Sequence, residues 1–198
     1  MARTLSTEVH NRTILSALKL FSERGFDAAS MDAIARQAGV TKATLYNHWS
    51  GKEALMMAVM LHVNGINRER PDVDTGDLTQ DIATVLTRRP PGEFEEARSR
   101  MMPGLIAYSA THPEFGAAWR RNVMEPPRRC LVRILQRAIH RGQITPGLPI
   151  ELSISLLLGP MLYGHIFGKG TPQENQKLGK LTAGAFVRAF ATTSHRLK

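Results

Sequence analysis

Apolar positions recur every three to four residues along most of this chain, and that period predicts helices. Residues 1 to about 6 read as a disordered lead. Ile14, Ala17, Leu18 and Phe21 then share one face of a helix that runs to about Arg24 and stops at Gly25. Met31, Ile34, Ala35 and Ala38 form the buried face of a second helix, for which Ser30 is a suitable N-cap. Gly39 follows where a chain leaving a helix needs a left-handed residue. Val40 fills the corner, and Thr41 stands where a third, short helix needs its N-cap. In that helix Leu45 and Trp49 point back to the core, while Lys42, Thr44, Tyr46, Asn47 and His48 face outward. The pattern is a helix-turn-helix, and its second helix suits a DNA major groove in size and chemistry.

Beyond the turn, Ser50-Gly51-Lys52-Glu53 fits a capping box. A fourth helix follows through Leu55, Met56, Val59, Met60 and Val63. Arg70 to Gly76 reads as a polar loop. Leu78, Ile82, Val85 and Leu86 mark a helix that ends before Pro90-Pro91. Further helices are expected over 93–110, with a kink at Pro103-Gly104, and from Pro113 to about Val123. After a break or restart at Pro126-Pro127 come helices over about 127–140, closed by Gly142, then 150–167 and 176–193. No strand alternation, repeat or low-complexity tract interrupts this layout. The expected fold is therefore all-α. An N-terminal three-helix domain occupies residues 1–55, and a connecting helix leaves it from about residue 51. A helical body occupies residues 56–198.

Charge changes this picture less than its size suggests. The chain of 198 residues carries a formal charge of +9, which favours a polyanionic partner. Yet residues 1 to 60 hold seven Lys/Arg against five Asp/Glu, and residues 61 to 198 hold nineteen against twelve. Most of the excess lies outside the helix-turn-helix, so charge does not identify the DNA-binding element. The single cysteine, Cys130, excludes an internal disulfide and a multi-cysteine metal site. No secretory signal is visible. The apolar run from Leu152 to Phe167 is too short and too interrupted to span a membrane. A soluble, cytoplasmic protein without cofactor or bound metal is expected.

The order of residues is more specific than the motif class. Ile34-Ala35, Ala38-Gly39-Val40-Thr41, Thr44-Leu45-Tyr46, an aromatic at Trp49, and Lys52-Glu53 with Leu55 closely resemble the signature of TetR (tetracycline-repressor-like) regulators. The resemblance covers roughly residues 10 to 56. Trp49 stands where that family more often has Phe, in the same core niche. The resemblance implies a sequence-specific transcriptional regulator, most often a repressor, that binds a palindromic double-stranded DNA operator as a homodimer. It implies DNA contacts from Ser30, Thr41, Lys42, Ala43, Thr44, Tyr46, Asn47, His48 and Lys52. Thr41 with the first free amides of its helix suits a phosphate. Lys42 reaches a guanine edge or a phosphate, Ala43 a thymine methyl, and Asn47 a base edge. Tyr46, His48 and Lys52 resemble backbone contacts.

In such regulators the body doubles as sensor and dimerisation surface. A small, mostly apolar effector is expected there, with Met101, Met102, Tyr108, Trp119, Met124, Tyr163 and His165 as candidate lining residues. Ordinary core packing is the competing reading for each. The expected dimer face uses Leu131, Ile134, Leu135, Ala138, Leu152, Leu156 and Met161, which equally suit the chain's own core. A run of arginines from Arg120 to Arg141 places Arg129, Arg133 and Arg137 on one helical face. Pairing with acids elsewhere is the preferred explanation, ahead of an anionic ligand or added DNA attraction. Of the rival classes, an enzyme lacks support: there is no nucleophile elbow, no phosphate loop, no dinucleotide fingerprint, and the histidines are scattered. A nonspecific architectural DNA binder suits the charge but not the individual side chains of the third helix. An activator with the same fold is a variant of the regulator reading.

Overall fold

The computed structural model of the chain describes residues 7–65, 72–88, 92–167 and 171–192. The expected lead over residues 1–6 and the break at Pro90-Pro91 lie outside the described residues. Among the described residues the helices are α1 (Thr7–Ala28), α2 (Met31–Ala38), α3 (Lys42–His48), α4 (Lys52–Val63), α5 (Leu78–Leu86), α6 (Glu95–Thr111), α7 (Pro113–Trp119), α8 (Glu125–His140), α9 (Ile150–Phe167) and α10 (Pro172–Phe190). The fold is all-α, as expected. The described residues form two compact units, one within Met1–Glu69 and Pro90–Val123, the other within Arg70–Arg89 and Met124–Lys198. This partition follows packing, whereas the boundary expected at residue 55 followed role, and the two cut the chain at different places.

In the first unit, α1 packs on α2, α4 and α6. Its core includes Ile14, Leu18, Phe21, Ile34, Leu45, Leu55, Met60 and Leu105. Gly25 breaks the helical run of α1 with φ 78° and ψ 166°, a conformation that favours glycine. Residues 26–28 thus leave α1 at a new angle and feed directly into the helix-turn-helix. The capping box expected at the head of α4 does not form. Gly51 is the N-cap residue there and supplies no side-chain bond. Glu53 is engaged elsewhere, accepting a hydrogen bond from the Tyr108 hydroxyl at 2.6 Å.

The second unit packs α5, α8, α9 and α10 around Leu78, Ile82, Leu131, Leu135, Ile144, Leu157 and Phe186. Pro126 and Pro127 fall in the first turn of α8, where the missing N–H groups have no intrahelical acceptor to lose. A π-helical turn over Arg120–Met124 precedes it. At α10 the chain turns helical earlier than expected. Thr171 and Glu174 form a complete capping box, followed by Pro172 in the first turn.

Arg133 and Arg137 of the arginine face of α8 are paired within this unit. Arg133 Nε lies 3.3 Å from Asp72, and Arg137 donates to Asp72 and to the Val73 carbonyl. Arg141 grips Asp74 with both terminal nitrogens, at 2.6 and 2.8 Å. These contacts hold the Asp72 carboxyl (through Arg137 first) and the Asp74 carboxyl (through Arg141 first) below the usual carboxylate range. Arg128 pairs with Glu125 at 3.0 Å and with Glu151. Pairing with acids accounts for four of the seven arginines. Asp81 is buried and accepts from the Thr75 amide and hydroxyl at 2.9 and 2.6 Å, which fixes the loop that presents Asp72 and Asp74. No helix among the described residues is long and apolar enough to cross a membrane.

Candidate nucleic-acid interface

Local chemistry fixes the turn between α2 and α3. The Ser30 hydroxyl accepts from the Ala33 amide at 3.1 Å and starts α2. Gly39 ends it in the left-handed region, at φ 64°. Its amide donates to Arg36 O at 3.2 Å, and the Val40 amide donates to Ala35 O at 3.0 Å. This is a Schellman closure, which satisfies carbonyls that the helix end leaves open. Thr41 then caps α3, accepting from the Thr44 amide at 3.0 Å while the two hydroxyls share a bond of 2.8 Å. Arg12 adds a restraint the sequence did not signal: its Nε donates to Ala38 O at 2.8 Å, pinning the end of α2 to α1.

The resulting surface sorts α3 by role. Leu45 and Trp49 are buried, and the His10 ring lies on Trp49 with centroids 5.2 Å apart. Partial desolvation of the largely exposed His10 side chain, and then the charges of His48 and His62, lower its pKa below the ordinary histidine value. Ser30, Thr41, Lys42, Ala43, Tyr46 and Asn47 are exposed, and Thr44 and His48 are half-buried. Lys42 is not idle: its ammonium lies 2.9 Å from Asp32 of α2, with both side chains largely exposed. That hydrogen bond raises the Lys42 pKa. The sequence gives no signal for Asp32 as part of the site, because its proximity to Lys42 depends on the angle of the turn.

Lys52 sits differently from a free phosphate-facing cation. Its Nζ donates to the carbonyls of Phe26 and Asp27 at 2.9 and 3.2 Å and lies 4.5 Å above the Phe26 ring. Two of its three protons thus bind α4 to the segment that leaves α1. Beside it, Glu53 and Tyr108 join α4 to α6. The Tyr108 ring stacks on His112 with centroids 3.6 Å apart and meets Phe26 edge-on at 4.6 Å.

The residues expected to line an effector site are divided between the two units. Met101, Met102 and Trp119 are buried in the first unit. Met101 and Tyr108 border a cavity of about 390 Å³ there, together with Phe26, Met56 and Leu105. Met124 and Tyr163 belong to the second unit and are exposed, Tyr163 to 67%. The His165 side chain lies outside the described residues. The expected dimer face also divides. Leu131, Ile134, Leu135 and Ala138 point inward and are consumed by the core of their own unit. They are core residues and not a dimer face, because α5 and α9 already pack on α8. Leu152 and Leu156 are exposed and Met161 is half-buried. On the same helix Leu162, Tyr163 and Phe167 are exposed as well, as is Leu181 of α10. Among the described residues no group of three or more His, Cys, Asp or Glu is placed to hold a metal ion.

The fold and the turn define a helix-turn-helix DNA-binding protein that carries a helical body. The sequence profile described as "Bacterial regulatory proteins, tetR family" matches residues 14–59, and that described as "Tetracyclin repressor-like, C-terminal domain" matches residues 72–177. The helix-turn-helix-type transcriptional regulator YdeS of Bacillus subtilis is 31% identical over 186 residues, covering 93% of this chain and 91% of YdeS. The DNA-binding transcriptional repressor TetR of Mycobacteroides abscessus is 29% identical over 168 residues, with coverage of 83% and 85%. The solved structure of GusR from Salmonella enterica shares the fold at a TM-score of 0.68, with 20% identity over 93% of this chain and 96% of GusR. The chain belongs to the tetR family of bacterial regulatory proteins, which are DNA-binding transcription regulators.

Proposed function

We propose that the protein is a transcriptional repressor. As a homodimer in the cytoplasm, it places two copies of α3 in the major groove of a near-palindromic operator. Binding of a small, mostly apolar effector releases it. The observation that carries the reading is the sorting of α3: Lys42, Ala43, Tyr46 and Asn47 are exposed on a helix anchored from behind by Leu45 and Trp49. Such a helix has polar groups for base edges and a capped N-terminus for a phosphate. Lys52 contributes through the joint it holds between α1 and α4, with its remaining proton and the head of α4 left for the DNA backbone.

One helix this short offers few contacts, and two-fold symmetry doubles them on half-sites about 34–36 Å apart. The exposed apolar residues of α9 and α10 supply a surface for that symmetry. Leu152, Leu156, Tyr163 and Phe167 fall on one face of α9. Patches of this kind on an otherwise polar surface mark association sites. No catalytic role is assigned to the chain.

The test is transcription in vitro from genomic fragments that the protein retains at about 150 mM salt, a physiological ionic strength. Repression is expected to lower the transcript from such a fragment, with Asn47→Ala restoring it. An increase in transcript would make the protein an activator, and no change would reject both readings.

A further inference from the structure

The cavity in the first unit lies where the broken end of α1, the helix α4 and the helix α6 meet. At about 390 Å³ it is within the range of small-molecule sites, roughly 300–1,000 Å³. Two features of the chain open it. Gly25 turns the backbone away from the axis of α1. Gly104 on α6 presents no side chain, and a Cβ placed there would meet nothing within 4 Å.

The lining has two chemistries. Phe26, Met56, Met101 and Leu105 form an apolar wall. Arg24 of α1 and Arg100 of α6 also belong to the lining. Arg24 has no side-chain partner among the described residues, and Arg100 pairs only with exposed Glu96 on its own helix. An exposed pair of that kind contributes little and yields to a better acceptor. Asp27, also in the lining, leaves a single net positive charge among the lining groups. That balance suits a monoanion better than a phosphate dianion.

We propose that this cavity binds a small amphipathic monoanion, such as an aromatic carboxylate, with its ring against Met56, Met101 and Leu105 and its acid between Arg24 and Arg100. The Tyr108 hydroxyl, already committed to Glu53, borders the ring rather than the acid. Occupation presses on Phe26 and Asp27, whose carbonyls hold Lys52 and whose chain continues directly into the Ser30 cap of α2. The site therefore acts on the setting of the helix-turn-helix from within the first unit. That regulatory consequence rests on the reading of the chain as a DNA-bound regulator, whereas the binding itself does not.

The experiment is calorimetric titration of the full chain with 1-naphthoate and, separately, with its neutral isostere 1-naphthamide. One naphthoate per chain is expected, with at least about tenfold preference over the amide, the scale of a charge-assisted hydrogen bond. Arg24→Gln and Arg100→Gln should each weaken naphthoate binding by about tenfold, and Gly104→Leu, which fills the space, should abolish it. Unchanged thermal melts of the variants show that the fold persists. Absence of naphthoate binding, equal binding of the amide, or binding indifferent to all three substitutions overturns the site. A gel shift on retained genomic DNA then reads the consequence. A naphthoate-dependent change in affinity that Gly104→Leu removes supports the coupling, and no change despite calorimetric binding overturns the coupling alone.

Discussion

Tyr108 of α6 donates its hydroxyl hydrogen to Glu53 at the head of α4 over 2.6 Å, fifty-five residues away in sequence. Beside this bond, Lys52 holds the carbonyls of Phe26 and Asp27, so α6, α4 and the end of α1 meet in one polar joint directly behind the helix-turn-helix. Burial, and next the bond to Glu53, push the Tyr108 pKa up to about 12. A raised folded-state value means that this group's stabilisation is complete below the ordinary tyrosine value of 10.0 and is lost as pH rises towards about 12. Tyr108→Phe leaves the Glu53 carboxylate without that donor. Equilibrium urea unfolding at neutral pH should show a loss of about 1–2 kcal/mol, and alkaline titration of the variant should lack the phenol that ionises near pH 12.

Asp32 draws Lys42 sideways along the surface that faces DNA. Asp32→Asn removes this competitor for a phosphate. Binding to operator and random DNA should strengthen together, and the slope of log affinity against log salt should steepen by up to about one unit, as expected for one more phosphate contact. Stability should change little, because the pair is exposed. A gain confined to the operator would instead place Lys42 on a base edge.

His10 couples pH to the back of the recognition helix. Its pKa is lowered by partial desolvation, and then by His48 and His62, so the unfolded chain takes up a proton first as pH falls. Stability is therefore fully present above the ordinary value of 6.5 and is lost as pH drops through the folded-state value. Thermal melts taken stepwise downward from neutral pH should show a falling midpoint below 6.5, and His10→Gln should flatten that fall.

The exposed face of α9 predicts the oligomeric state. Tyr163→Glu places a charge at the centre of the row formed by Leu156, Tyr163 and Phe167. Burying an unpaired carboxylate in an apolar interface is strongly unfavourable. Sedimentation should find a dimer for the natural chain and a monomer for the variant, with the same helical content and much weaker operator binding. A variant that remains dimeric would move the interface elsewhere.

What the sequence made legible was local. Ser30, Gly39 and Thr41 each act within three or four residues, so the turn could be read from their identities and spacing. The halves of the site that depend on distant partners could not. Glu53 matched a capping box by spacing, yet Tyr108 from another helix takes its carboxylate. Lys52 resembled a phosphate clamp by position, while its ammonium rests on the chain leaving α1. Leu131 to Ala138 showed only that one face of α8 is apolar, and such a face serves a core or a partner equally well. The pairing of Arg133, Arg137 and Arg141 with Asp72 and Asp74 spans more than sixty residues; the sequence offered the arginine row but not its partners.

Selection of bound duplexes from a random DNA pool at moderate salt, followed by sequencing, tests the central claim that α3 reads DNA as one half of a symmetric dimer. The account predicts enrichment of an inverted repeat with half-sites about one helical turn apart, ~34–36 Å, bound ~10³–10⁷-fold tighter than random sequence. Asn47→Ala should relax the preference at one position of each half-site. Uniform, salt-sensitive binding with no enriched sequence would contradict it and leave an architectural DNA binder in its place.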